Sequence, residues 1–106
     1  MTKSEAYIQS EIMLELSKQG HKVWRSNAGS IKNQQGYVIK LFPKGFPDLV
    51  GFRGNDGKFF CIEVKDEKGR LREAQKEFAR FAISQPILYG VARSPSEAIR
   101  IVTESE

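Results

Sequence analysis

The chain has 106 residues, 40% hydrophobic and 28% charged, the composition of one modest soluble domain with its own core, residues 1–106. Seventeen Lys and Arg against thirteen Asp and Glu leave a net charge of +4, which mildly favours a polyanionic partner. One cysteine and one histidine exclude a disulfide framework and a zinc ligand set, and no apolar run approaches the roughly 20 residues of a membrane helix.

In chain order, the first expected element is a helix over about residues 4–18. Ser4 is its N-cap, Ile8, Ile12 and Leu16 form an i, i+4, i+8 stripe, and Gly20 stops it. At about 100° per residue Glu5 falls at the centre of that stripe, with Glu11 and Glu15 toward its edge. An acid leading an apolar face either complements the helix dipole or points at a nearby site. Residues 21–26 read as a short edge strand, with Val23 and Trp24 packed beside the helix and His21 at the surface. Residues 27–30 are a turn and 31–35 a polar loop, followed by a strand candidate at 37–42. Arg25, Asn27, Ser30, Lys32, Lys40 and Lys44 combine cations with amide and hydroxyl donors, which suits phosphate contact without base reading. A solvated basic loop has the same composition.

Two apolar strands follow, around residues 48–52 and 59–65, and both carry charge. Burying an unpaired carboxylate is costly, so Asp48 at the start of the first and Glu63 near the end of the second are unusual. Alternation puts Cys61, Glu63 and Lys65 on one face, opposite Phe60, Ile62 and Val64. A two-residue turn at Asp56-Gly57 sets Asp48 opposite Lys65, whereas a four-residue loop, 54–57, sets it opposite Glu63. Either length brings the three charges onto one face within roughly 5–8 Å. Two carboxylates so close repel unless a cation lies between them, and their oxygens suit a hard divalent ion such as magnesium. Cys61 reads as a small hydrophobe.

Beyond a polar turn, Leu71, Ala74, Phe78, Phe81 and Ala82 mark the core face of a helix running to about Ile83, with Gln75 flanking it. Residues 87–92 are a strand, and Ser94-Pro95 opens a last helix with Ile99 and Val102 inward. Residues 103–106 are expected to fray. The order αβββαβα predicts an α/β fold, a mixed β-sheet flanked by helices, with a parallel crossover from the Glu63 strand to the 87–92 strand.

Gly45-Phe-Pro-Asp48, Glu63-Val-Lys65 and the downstream Gly69-Arg-Leu…Gln75 resemble the PD-(D/E)XK nuclease superfamily, and more narrowly its VRR-NUC (virus-type replication-repair nuclease) branch. Glu5…Ile8-Gln9, Trp24-Arg-Ser-Asn-Ala-Gly29 and Gly90-Val-Ala-Arg93 extend the likeness over most of the chain. The resemblance implies a restriction-endonuclease-like core and a metal-dependent DNA nuclease. It implies that Asp48, Glu63 and the Val64 carbonyl hold Mg2+ or Mn2+, and that Lys65 positions or activates the attacking water. Gln75 would orient water or Lys65, and Glu5, with Glu11 as runner-up, would match the acid of the family's first helix. One departure is Arg72-Glu73, where members often carry a Ser or Thr helix cap; this leaves the position of Gln75 open.

Phosphodiester hydrolysis through metal-activated water agrees with the residues, since no Cys/His or Ser/His pair is suited to nucleophilic catalysis. Stand-alone VRR-NUC proteins resemble Holliday-junction resolvases, which implies branched DNA as substrate and a homodimer, with no small-molecule cofactor and no membrane. A cytoplasmic location is expected, because the N-terminus lacks a signal-peptide pattern. A restriction- or repair-type nuclease on other DNA, and a non-catalytic basic module with a buried ion-pair cluster, remain open on sequence alone.

Overall fold

The computed structural model describes residues 2–26 and 30–104. Its elements are α1 (Glu5–Lys18), β1 (Lys22–Arg25), β2 (Ser30–Lys32), β3 (Val38–Lys40), β4 (Leu49–Phe52), β5 (Phe59–Val64), α2 (Glu73–Ile83), β6 (Leu88–Ala92) and α3 (Pro95–Thr103). Four strands make one sheet in the order β1-β4-β5-β6, antiparallel except for the parallel β5-β6 pair. Taking that sheet alone, the chain runs αβββαβα, the mixed α/β arrangement expected.

The addition is a separate two-stranded ribbon, β2-β3. It corrects the reading of residues 31–35 as loop, since Ser30, Ile31 and Lys32 pair with Lys40, Ile39 and Val38. A cross-strand Ile31–Ile39 pair favours extended backbone more than the polar neighbours oppose it. The strand expected at 37–42 is shorter because Tyr37 belongs to the turn, where Asn33 Oδ1 accepts from the N–H groups of Gln35 and Tyr37.

Each helix begins as its sequence directs. Ser4 Oγ accepts from the Tyr7 N–H at 3.1 Å, and Ser94 Oγ from the Glu97 N–H at 3.3 Å. Helices α1 and α3 bury Ile8, Ile12, Leu16, Ala98 and Val102 against Val23, Leu49, Phe60, Ile62, Val64, Leu88 and Ala92 of the sheet. The opposite face carries Cys61, Glu63 and Tyr89, and α2 crosses it through the Phe78–Tyr89 contact, 5.9 Å between centroids. Because α2 covers the β6 side of this face, it buries less than its pattern promised. Ala82 is fully buried, while Phe81 lies 57% exposed against the edge of Phe78.

Two further expectations are corrected. Trp24 does not pack beside α1: strand alternation turns Val23 inward and leaves Trp24 half-exposed on the far face, edge-on to Phe52. His21 is not a surface residue. Its Nδ1 accepts from the Gly54 N–H at 2.9 Å and its ring meets Phe60 edge-on, so it ties the end of α1 to the β4-β5 loop. Among the described residues, no helix is long and apolar enough to cross a membrane.

Candidate active site

The β4-β5 hairpin settles which loop the chain uses. Arg53 N–H donates to Lys58 O and Gly57 N–H to Arg53 O, closing the four-residue loop with Gly57 at φ 75°. Register then runs from Phe52↔Phe59 to Leu49↔Ile62, and one step further Asp48 stands opposite Glu63. The Asp48 backbone is pinned by the chain leaving β1, since Ser26 N–H donates to Asp48 O at 2.9 Å and the Ser26 hydroxyl donates to Pro47 O. Its side chain is pinned from the other strand: Val64 N–H donates to Asp48 Oδ2 at 2.9 Å.

Glu63 is the most unusual group in the fold, a carboxyl only 2% exposed near the end of an inner strand of the sheet. Its Oε2 accepts from Gln75 Nε2 at 3.0 Å and lies 3.7 Å from Lys65 Nζ. Its Oε1 is buried with no hydrogen-bond partner among the described residues. Burial foremost, then the Asp48 carboxylate within hydrogen-bonding reach, pushes its pKa up to about 8, against the pull of Lys65. An acceptor left unsatisfied beside a second carboxylate has the chemistry of a cation ligand. Among the described residues no three acidic, cysteine or histidine side chains gather closely enough to hold an ion by themselves. Two carboxylates still fit magnesium, which keeps several waters and takes oxygens from substrate phosphates.

Lys65 is buried at 5% exposure, its N–H donating to Ala92 O at the end of β6. Gln75 reaches Glu63 rather than Lys65. Its other amide atom, Oε1, accepts from the N–H of the N-cap Arg72 at 2.8 Å, the N3 half of a capping box, so the glutamine is held from both ends. Glu5 lies at the first turn of α1 beside the loop after β5: a Cβ on Gly69 would come 3.4 Å from Glu5 Oε2 and 3.2 Å from the Lys65 stem. Its charge is also felt by Glu63. Glu11 instead pairs with Lys3 at 3.0 Å on the exposed side of α1.

Of the expected phosphate contacts, Arg25 ends β1 beside Leu49, its guanidinium donating to Gln9 Oε1 and Ser10 Oγ at 3.1 Å each. Ser30 and Lys32 stand exposed on the ribbon, and Lys44 is exposed before Gly45. Asn27 lies outside the described residues. Arg93, which stands in the sequence only as part of Gly90-Val-Ala-Arg93, adds a further residue to the site. Its guanidinium donates to Asp66 O at 2.6 Å and Gly69 O at 2.7 Å, clamping the loop that follows Lys65. No periodicity marks such a residue; it stands between a strand and a capped helix and resembles any surface arginine. Cys61 is as inert as expected, its thiol pushed up to about 12 by burial.

The fold defines the class: a restriction-endonuclease-like α/β core in which the lysine and both strand carboxylates meet at one sheet end. The VRR-NUC domain model matches residues 4–96, and the chain belongs to the VRR-NUC family. It is therefore a nuclease of the PD-(D/E)XK type, a hydrolase acting on DNA. Neither a curated protein nor a solved structure matches the chain.

Proposed function

We propose that the chain is a divalent-metal-dependent DNA endonuclease, structure-selective like a Holliday-junction resolvase, acting in the cytoplasm as a homodimer that brings two sites to two strands. The observation that carries this reading is the buried Glu63 carboxyl, opposite Asp48, with one oxygen unpartnered. Asp48, Glu63 and the Val64 carbonyl would hold magnesium, or manganese in its place. When bound, such an ion supplies a Lewis acid and lowers the pKa of a coordinated water below that of bulk water.

The side chains around it have separable tasks. Lys65 brings a positive charge to within 3.7 Å of Glu63, where it offsets negative charge building on the scissile phosphate and steers the attacking water. Gln75 fixes the direction of Glu63 through Oε2, leaving Oε1 pointed at the ligand position. Glu5, across Gly69 from the Lys65 stem, adds negative charge beside the site, as the acid of the first helix would. Arg25, Asn27, Ser30, Lys32 and Lys44 neutralise and hydrogen-bond the phosphates on either side.

The test supplies labelled four-way junction, flap and linear duplex, with and without magnesium, to wild type and Lys65→Ala. Wild type is expected to cut the junction in preference to duplex, and only with metal; the variant is expected to bind without cutting. Wild type that binds yet never cuts with magnesium or manganese ends the nuclease reading. Equal cutting of junction and duplex ends the structure-selective part alone, and a monomer by sedimentation in the presence of junction ends the dimer.

A further inference from the structure

A groove of about 420 Å³ runs between the end of β1 and the strand returning from the ribbon, lined by Arg25, Lys40, Leu41, Phe42 and Pro43. We propose that this groove is a binding site for one unpaired nucleotide next to the scissile phosphate, its base stacked on Phe42 and its phosphate held by Arg25 and Lys40. The inference rests on the nuclease reading and adds a substrate class: DNA with an unstacked nucleotide beside the cut.

Three observations converge on it. The first is the ring. Phe42 is 46% exposed although it stacks on Phe46, with centroids 4.4 Å apart and planes at 14°, and Phe46 in turn meets Phe78 of α2 at 5.3 Å. An exposed ring at the end of a rigid aromatic ladder is a platform, and stacking on it is available only to a base whose own neighbours have been removed. The second is the cations. Gln9 and Ser10 of α1 engage two of the five Arg25 donors, which sets the planar guanidinium at the mouth of the groove before any ligand arrives. The third is charge. From Leu16 to Pro47 the chain has no Asp or Glu but has Lys18, Lys22, Arg25, Lys32, Lys40 and Lys44. An apolar cleft in a segment free of acids matches a polyanion better than it matches another copy of this chain or a peptide. Position completes the case through the ring ladder: Phe46 lies two residues before Asp48 and meets Phe78 of α2, one turn from the Gln75 that bonds Glu63.

The experiment measures binding in metal-free buffer, so its result stands whether or not the chain cuts. A single-stranded oligonucleotide with one 2-aminopurine, and a matched duplex, are titrated into wild type, Phe42→Leu, Phe42→Tyr and Lys40→Gln. Expected are quenching of the single-stranded probe by wild type and Phe42→Tyr, a roughly tenfold weaker affinity for Phe42→Leu, the size of one lost base stack, and little change in duplex affinity. Lys40→Gln should weaken single-strand binding and flatten its salt dependence. If Phe42→Leu weakens duplex and single strand alike, Phe42 serves only the ladder and the proposal fails; Phe42→Tyr, which keeps the ladder, must then behave as wild type. Absence of quenching in wild type overturns it outright, as does a change of oligomeric state in Phe42→Leu, which would make the groove a contact between copies.

Discussion

Replacing Glu63 by glutamine asks whether a carboxyl so deeply buried is held against its own stability. In the metal-free protein its pKa is raised from 4.5 to about 8 by burial and by Asp48. Because the folded protein binds this proton more tightly than the unfolded chain, stability falls as pH rises from about 4.5 to about 8 and is flat beyond both. The displacement sets a ceiling of about 5 kcal/mol on the cost of the ionised form. Glutamine removes that cost but turns an amide toward the donors of Gln75 and Lys65, forfeiting about 1–2 kcal/mol of charge-assisted hydrogen bonding. A net gain of about 2 kcal/mol for Glu63→Gln at pH 8.5 is the expected result, an increase of about 10 °C in Tm for a domain of this size. At pH 5, where Glu63 is already protonated, the gain should vanish. Thermal melts in chelator at the two pH values measure both. A variant less stable than wild type at pH 8.5, or equally stable at every pH, would refute the argument that burial and Asp48 hold this carboxyl protonated. Magnesium reverses the order: it should raise the wild-type Tm at pH 8.5 and leave Glu63→Gln unmoved.

Three further substitutions separate chemistry from scaffold. Asp48→Asn keeps an oxygen for the Val64 N–H, so Tm should stay within a few degrees while cutting of a junction falls about a thousandfold or more. Gln75→Ala removes both the Glu63 contact and the cap on Arg72, costing about 1–2 kcal/mol in a denaturant titration and lowering kcat more than it raises KM. Gly45→Ala is purely structural: with φ 87° and a Cβ that would come 2.4 Å from Ala74 O, it should cost about 2 kcal/mol or more in chemical denaturation and loosen α2.

Much of this arrangement was legible in the chain because it depends on local periodicity. The Ser4 cap, the Ile8-Ile12-Leu16 stripe and the Ser94-Pro95 start of α3 follow from short-range spacing, and each occurs where expected. The Asp48–Glu63 pair was narrowed to two registers, since an even loop preserves the shared face; choosing between them needed the Arg53–Lys58 hydrogen bond, which spacing does not encode. What escaped was tertiary. His21 looks polar and terminal until Gly54 arrives from 33 residues away to use its Nδ1. Trp24 and Phe81 are hydrophobic enough for a core, but α1 covers only the Val23 face of β1 and α2 only part of the other. Gln75 shows the same limit from the useful side. Its two-ended fixation between Arg72 and Glu63 joins a helix cap to a distant strand, so neither half predicts the other.

The way the chain travels between β1 and β4 has a consequence for how such a nuclease changes. These strands are hydrogen-bonded neighbours up to Arg25 and Leu49, and the Ser26–Asp48 bond closes the pair behind them. The ribbon and the Phe42 groove are therefore an excursion that leaves and rejoins the sheet where Ser26 bonds Asp48 and Pro47. The ribbon residues 30–40 can be exchanged without touching either carboxylate, whereas Gly45 and Phe46, which pack on α2, cannot. If the groove reads the substrate as proposed, changes in the ribbon would alter the target while leaving the carboxylates of β4 and β5 in place.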